Sequence, residues 1–161
     1  MNDYDTISDT WFQAATLGRF DWTHSNALDY DWSSTTNSID KIYLSVRHLS
    51  RISKIDYSSK NIDWNIGLEM PSGDTNLGNE LKFSFQHSLH KSISYPSCFA
   101  TLDNGNISEQ ILNTDYPTTR ALLICYDENI DSEPYIQWEY SLPENYFGFA
   151  SGNVQILDNG N

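Results

Sequence analysis

Two segments near the middle of the chain alternate apolar and polar residues with a period of two. Asn61–Met70 places its Ile, Trp, Leu and Met side chains on one face, and Leu81–Leu89 does the same with its Leu and Phe side chains. This alternation is typical of β-strands with one buried face and one wet face, the usual arrangement in antiparallel sheets. We therefore predict an all-β protein with antiparallel sheets.

Further strand-like segments bring the expected total to about eight strands, with no convincing long helix. Turn signals separate them, among them the Asn104-Gly105 pair, which is typical of a type I′ hairpin turn. Many short strands with frequent turns favour a β-sandwich. The additional segments are Ile42–Leu49, Ala121–Tyr126, Tyr135–Leu142 and Phe147–Leu157, the last giving one or two strands.

The length of 161 residues predicts one domain over residues 1–161, with an irregular acidic segment at about 1–37. An aromatic content of 14% predicts a folded chain. No apolar run is long enough for a membrane span. Met1–Asp5 lacks the apolar core of a secretory signal, so we expect cytoplasmic synthesis or non-classical export.

The formal net charge is −13, from 22 acidic and nine basic residues. Binding to nucleic acid or to anionic membranes depends on Lys and Arg, so this charge disfavours both. It favours neutral or cationic partners.

Recognisable catalytic motifs are missing from the sequence, which predicts a protein that is not an enzyme. His87 and His90 are three apart on a predicted strand and would point to opposite faces, so we expect no metal there. Cys98 and Cys125 each lie in or beside an apolar segment, which favours two buried thiols over a disulfide.

The acidic segment Asp127–Glu133 offers enough oxygen atoms for a calcium loop. It lacks the Gly and the ligand alternation of an EF-hand, and an exposed acidic hairpin is the favoured interpretation. We therefore predict no cofactor, with calcium as the open alternative.

Aromatic, acidic and amide side chains share the predicted polar strand faces and loops. Such side chains recognise sugars by stacking on C–H surfaces and by binding hydroxyl groups. The candidate ligand-binding residues are Asp29, Asp31, Trp32, Asp63, Gln86 and His87.

The order of several segments resembles the H-type lectin domain, a family that includes snail agglutinins and the C-terminal domain of discoidins. The resemblance covers about residues 17–100. The segments that carry it are Leu17–Asp21, Lys41–Leu49, Asn61–Ile66 and Phe83–Ser88.

This resemblance implies a small antiparallel β-sandwich that forms a trimer or trimer-based assembly and binds GalNAc- or galactose-type sugars between subunits. The family's Trp-His sugar contact would fall on Gln86 and His87, and its acidic contact around Asp29–Asp31. The family's arginine falls on Asp63, which is a departure from its pattern.

We therefore predict a non-enzymatic, oligomeric, carbohydrate-binding protein. The alternative is an acidic interaction module, such as an immunity protein, an inhibitor or a nucleic-acid mimic. A structural subunit of a larger assembly is a further possibility.

Overall fold

The computed structural model describes residues 16–18, 21, 23–69, 77–130, 132–157 and 159. Within this part of the chain, eight strands form two four-stranded antiparallel sheets. The first sheet contains β1 (Ser25–Ser33), β2 (Ser38–Val46), β3 (Arg51–Asp56) and β4 (Ile62–Gly67). The second contains β5 (His87–Lys91), β6 (Cys98–Asp103), β7 (Arg120–Cys125) and β8 (Tyr135–Ser141).

Each sheet is a simple meander in which strands adjacent in sequence are also hydrogen-bonded neighbours. The other described elements include one short helix, α1 (Ser108–Ile111), and three short 3₁₀ turns. The 3₁₀ turns are Arg47–Leu49, Asn79–Leu81 and Glu144–Tyr146. The prediction of an all-β antiparallel protein is confirmed. None of the helices in the described residues is long and apolar enough to span a membrane.

The predicted strand at Leu81–Leu89 begins late, because β5 starts only at His87. Leu81 ends a 3₁₀ turn, and both Lys82 and Phe85 have positive φ angles, which interrupts an extended strand. Leu81, Phe83 and Phe85 are nevertheless all buried. The alternation therefore came from an irregular segment that also faces the core.

The Asn104-Gly105 pair does not form the predicted hairpin, because the chain continues into α1 instead of returning as a strand. Gly105 has a φ of +69°, and a Cβ atom there would lie 1.9 Å from the backbone oxygen of Thr118. Glycine is required by this close backbone approach. The segment at 147–157 forms no strand either.

One hydrophobic core is shared by both sheets. The ring of Tyr43 in β2 lies 5.1 Å from that of Phe99 in β6, and Trp64 in β4 lies 6.1 Å from the same Phe99 ring. Aromatic pairs at these separations add a favourable contact to the burial of apolar surface. The buried members of this core are Tyr43, Ile52, Trp64, Ile66, Leu81, Phe83, Leu89, Phe99, Leu122 and Ile124.

Polar contacts connect β1 to the segment around β5, and two of them involve the backbone of that segment. The Asn26 side-chain amide donates to the backbone oxygen of Gln86 at 2.8 Å, and the backbone N–H of Lys91 donates to the Asp29 carboxylate at 2.8 Å. Because one contact is near each end of β5, the two strands are fixed along their length. Since β1 and β5 are edge strands, this connection places one edge of the first sheet beside one edge of the second.

Cys98 and Cys125 form a disulfide, contrary to the favoured expectation of two free thiols. The register of β6 and β7 places the two residues directly opposite each other. Their separation of 27 residues in sequence gives no sign of this pairing, which depends on strand register alone.

Candidate functional site

Three of the four histidines meet at one end of the two sheets. The ring centroid of His24 lies 4.8 Å from that of His48 and 6.2 Å from that of His87. The fourth histidine, His90, lies further along β5. The cluster of His24, His48 and His87 is called the histidine cluster below.

The strand pairing explains how these residues meet. His24 immediately precedes β1 and His48 closely follows β2, and antiparallel pairing places the start of one strand beside the end of the other. The ladder continues past the strand ends, because the N–H of Arg47 donates to the His24 oxygen at 3.2 Å. His87 begins β5, which β1 contacts.

Asp21 contacts two members of the histidine cluster. Its carboxylate forms a hydrogen bond with Nδ1 of His24, and its backbone oxygen lies 2.6 Å from Nδ1 of His48. Since a carbonyl oxygen only accepts, Nδ1 of His48 must carry the proton. The lone pair of the neutral His48 ring is therefore on Nε2.

Asn104 orients His87. The Asn104 amide nitrogen donates to the backbone oxygens of Gly148 at 2.6 Å and Ser151 at 3.0 Å, so its amide oxygen faces the 2.5 Å contact with Nδ1 of His87. Nδ1 is therefore the protonated nitrogen of His87, and Nε2 carries the lone pair. The N–H of Ser151 approaches this Nε2 at 3.3 Å.

Arg47 supplies a fixed positive charge beside the cluster. Its guanidinium is buried, lies 4.9 Å from the centroid of the Phe85 ring, and donates to the Phe149 oxygen at 3.2 Å. Burial lowers the pKa of both His48 and His87, and the charge of Arg47 lowers each pKa further. This end of a strongly acidic chain therefore combines neutral imidazoles with a permanent cation, which suits an anionic ligand.

The backbone around the cluster is conformationally unusual. His24 and Ser50 have φ angles of 46° and 47°, and Phe85 and Ser88, on either side of His87, have φ angles of 56° and 61°. This left-handed conformation is unfavourable by about 1–2 kcal/mol for residues other than glycine. Such residues concentrate at functional sites, where the surrounding structure holds them in place.

The six ligand-binding residues predicted from the sequence lie in several separate parts of the structure. Asp29 and Asp31 both contact Lys91, the first through the backbone N–H at 2.8 Å and the second through the ammonium group. The hydroxyl of Tyr43 also donates to Asp31 at 2.7 Å. Among the predicted residues that the structure describes, these two acids share Lys91 as a partner. Asp29 lies in the middle of β1, and Asp31 lies towards the end of the strand away from His24.

The other predicted residues lie apart from these. Gln86 is fully buried and its amide donates to the oxygens of Arg51 and Ser45 at 2.9 and 3.1 Å, so it supports the fold. Asp63 accepts from Lys41 at 2.8 Å. Trp32 is 57% exposed near the end of β1. His87 alone of the six belongs to the histidine cluster.

Asp31 and Lys91 also line a cleft of about 320 Å³, together with Asp127 and Glu128 of the acidic segment for which calcium was the open alternative. There Asp127 accepts two hydrogen bonds from Asn129 at 2.9 Å, and Glu128 pairs with Lys54. These carboxylates therefore have protein partners. Asp131 lies outside the described residues.

Sequence reasoning missed most of the cluster. His24, His48 and His87 are far apart in sequence and follow no metal or catalytic motif. Asp21 and Asn104 belong to the site only through contacts across turns and between sheets. The adjacent Arg47-His48 pair, at the end of a predicted strand in an acidic chain, was the one local sign available.

The family model of arylsulfotransferase (ASST) matches residues 4–161. The chain therefore belongs to the arylsulfotransferase family, which is a family of enzymes. No curated protein and no solved structure matches the chain.

Family membership overturns the lectin-based predictions. The resemblance to the H-type lectin domain is wrong, as are the predictions of a non-enzymatic protein and of a carbohydrate partner. The trimeric assembly was implied only by that resemblance and loses its basis. The reason is physical: alternating apolar and polar residues describe any half-buried antiparallel strand, so similar spacing does not identify one family.

Membership of an enzyme family also gives no support to the two alternative predictions, an acidic interaction module and a structural subunit. The prediction that the chain is not an enzyme rested on the absence of a catalytic motif. It was wrong because the histidines come together only in the folded chain. Short motifs reveal catalytic residues only where those residues are close in sequence.

Proposed function

We propose that the histidine cluster is the centre of a sulfuryl transfer from an aryl sulfate to a phenol. Membership of the arylsulfotransferase family supports this reaction class. The observation that carries the location is the arrangement of His87. Its protonated Nδ1 is held by Asn104, its Nε2 faces the N–H of Ser151, and its ring lies near His24 and within the influence of the Arg47 charge.

The charge of the site matches the group transferred. An aryl sulfate carries a negative charge on its sulfuryl oxygens, and transfer spreads further negative charge onto the donor oxygen. Preorganised cations and N–H donors in a partly dry site stabilise such charge strongly. Arg47 is a buried cation, and its charge lowers the pKa of both His87 and His48.

The reaction exchanges one S–O bond for another. The bond between sulfur and the donor oxygen breaks, a bond from sulfur to the acceptor oxygen forms, and the acceptor's phenolic proton must be removed. A neutral imidazole has two ways to assist, because its lone pair can accept the proton or can attack sulfur and hold the group as an N–S intermediate. A burst of donor product equal to the enzyme concentration, with ping-pong kinetics, identifies the second route.

The test uses p-nitrophenyl sulfate as donor and phenol as acceptor, with release of p-nitrophenol and formation of phenyl sulfate both measured. We expect His87→Ala to lower the transfer rate by about 100-fold or more. The matched control is His90→Ala on the same strand, which should stay within about threefold of the native protein. A native chain without transfer above the enzyme-free rate, or equal activity in both variants, would contradict the proposal.

We also infer that the two sheets are layered face to face, as in a sandwich, with the histidine cluster at one end of the space between them. The contacts of Phe99 with Tyr43 and Trp64, and the strand contact of β1 with β5, support this arrangement. A crystal structure with the sheets side by side and no shared core would overturn it.

A further inference from the structure

Asp21, His24 and His48 each direct a metal-ligating atom to the same small volume, and the three atoms all lie within 4.8 Å of one another. Around a zinc ion, ligand atoms at about 2.0–2.2 Å from the metal lie roughly 3.4 Å apart. Small side-chain rotations of these residues would therefore bring all three to one ion. We infer that this Asp-His-His group binds one divalent transition metal ion of the zinc class.

The backbone holds the three residues in this arrangement. His24 has a φ of 46°, and its Nδ1 forms a hydrogen bond with the Asp21 carboxylate. The N–H of His48 donates to the Thr23 oxygen at 3.2 Å, which ties the His48 segment beside the Asp21 segment. Hydrogen bonds to the backbone oxygens of Asp21 and Thr23 therefore hold His48 beside His24.

The hydrogen bond of His48 matches the environment of a histidine that binds a metal. Ligating histidines usually donate their second ring N–H to a carboxylate or a backbone carbonyl, which fixes the tautomer and the ring orientation. Nδ1 of His48 lies 2.6 Å from the Asp21 backbone oxygen, which leaves Nε2 as its ligating atom. His48 is also fully buried, so its ring has little freedom to turn away.

The donor set selects the class of metal. Two imidazoles and one carboxylate suit zinc and its transition-metal neighbours, whereas calcium and magnesium prefer oxygen ligands alone. The two cysteines are joined in the disulfide and do not compete as ligands. Three protein ligands would leave at least one coordination position for a further ligand. The ring of His87 lies near the group, with its centroid 6.2 Å from that of His24.

This inference stands apart from the proposed function, since a metal can bind here whichever reaction the chain catalyses. The experiment titrates ZnCl₂ into the purified full chain after dialysis against EDTA, followed by calorimetry. Cobalt substitution, read by visible absorption, reports the ligand geometry. We expect one zinc per chain, and a cobalt spectrum of tetrahedral or five-coordinate type.

Two variants each remove one proposed ligand with little risk to the fold. Asp21→Asn hardly changes the side-chain volume, and His24→Ala lies at a partly exposed position. Asp21→Asn and His24→Ala should each weaken zinc binding at least tenfold. His90→Ala removes a histidine outside the group and should leave the affinity unchanged. Circular dichroism of each variant confirms that it is folded.

The inference is overturned if zinc does not bind the native chain. It is also overturned if His90→Ala weakens zinc binding as much as the ligand variants do, or if both ligand variants bind zinc as tightly as the native chain. Zinc binding without sulfuryl transfer would keep the metal site and refute the proposed function. Transfer activity without zinc binding would do the reverse.

Discussion

Asn104 binds His87 through its amide oxygen at 2.5 Å while its amide nitrogen binds the oxygens of Gly148 and Ser151. The residue thus joins the end of β6 to the start of β5 and to the segment after β8. Because the nitrogen is committed to two carbonyl oxygens, the oxygen has to face the imidazole. Asn104 is therefore a positioning residue for His87.

Replacing Asn104 with Ala should lower kcat for sulfuryl transfer by about 10- to 100-fold, because the His87 ring loses its fixed tautomer and orientation. KM for the donor should change much less. The measurement is steady-state kinetics with p-nitrophenyl sulfate.

Asn106→Ala is the matched control for that variant. Asn106 also binds the same segment, donating to the Phe149 oxygen at 3.0 Å, whereas the contact with His87 is made by Asn104. It should therefore keep kcat near the native value. Equal losses of kcat in the two variants would mean that Asn104 acts only by holding the segment.

Gly105→Ala should destabilise the protein by about 3 kcal/mol or more, because the new Cβ would collide with the Thr118 backbone and the φ of +69° is unfavourable for alanine. Gly18 has a φ of +62°, but among the described residues no heavy atom lies within 4 Å of such a Cβ. Gly18→Ala should therefore lose only about 1–2 kcal/mol. Urea unfolding of both variants measures the difference, and equal losses would refute the backbone clash.

Removal of the disulfide should lower the free energy of unfolding by about 3–4 kcal/mol, since it closes a loop of 27 residues in the unfolded chain. The double variant Cys98→Ser, Cys125→Ser tests this in urea, beside the native protein with and without reductant. The control is the reductant added to the double variant, which should have no effect. An unchanged stability of the reduced native chain would contradict the expectation.

Asp31 should make the folded state sensitive to acid. Burial raises the pKa of Asp31, but hydrogen bonds from Lys91 and Tyr43 outweigh it and hold the pKa below its ordinary value. A carboxylate with a lowered folded pKa stabilises the protein above its unfolded pKa of about 3.9, and this contribution is lost as the pH falls through the folded pKa.

Asp31→Asn should therefore cost about 1 kcal/mol at pH 7, and the difference from the native protein should shrink between pH 4 and pH 2. Urea unfolding at several pH values measures it. The exposed Asp40 on β2 offers the comparison, because Asp40→Asn should change stability by less than about 0.5 kcal/mol. A native-to-variant difference that does not vary with pH would contradict the role of Asp31.

Local sequence was enough to predict antiparallel β-structure, but not the exact bounds of every strand. β4 and β7 coincide with predicted segments, because alternation and an apolar run respond directly to burial on one face or two. β5 was misplaced, because Phe83 and Phe85 reach the core from an irregular segment with a positive φ at Phe85. A buried side chain does not require an extended backbone.

The amino-acid sequence by itself determined an acidic, aromatic-rich chain of antiparallel strands, since composition and alternation are local properties. Tertiary structure alone decided which residues meet. The pairing of Cys98 with Cys125, and the meeting of His24, His48 and His87 near Asp21 and Asn104, depend on strand register and on the packing of β1 against β5. These are contacts between residues distant in sequence, and they follow from the free energy of the whole fold rather than from any local pattern.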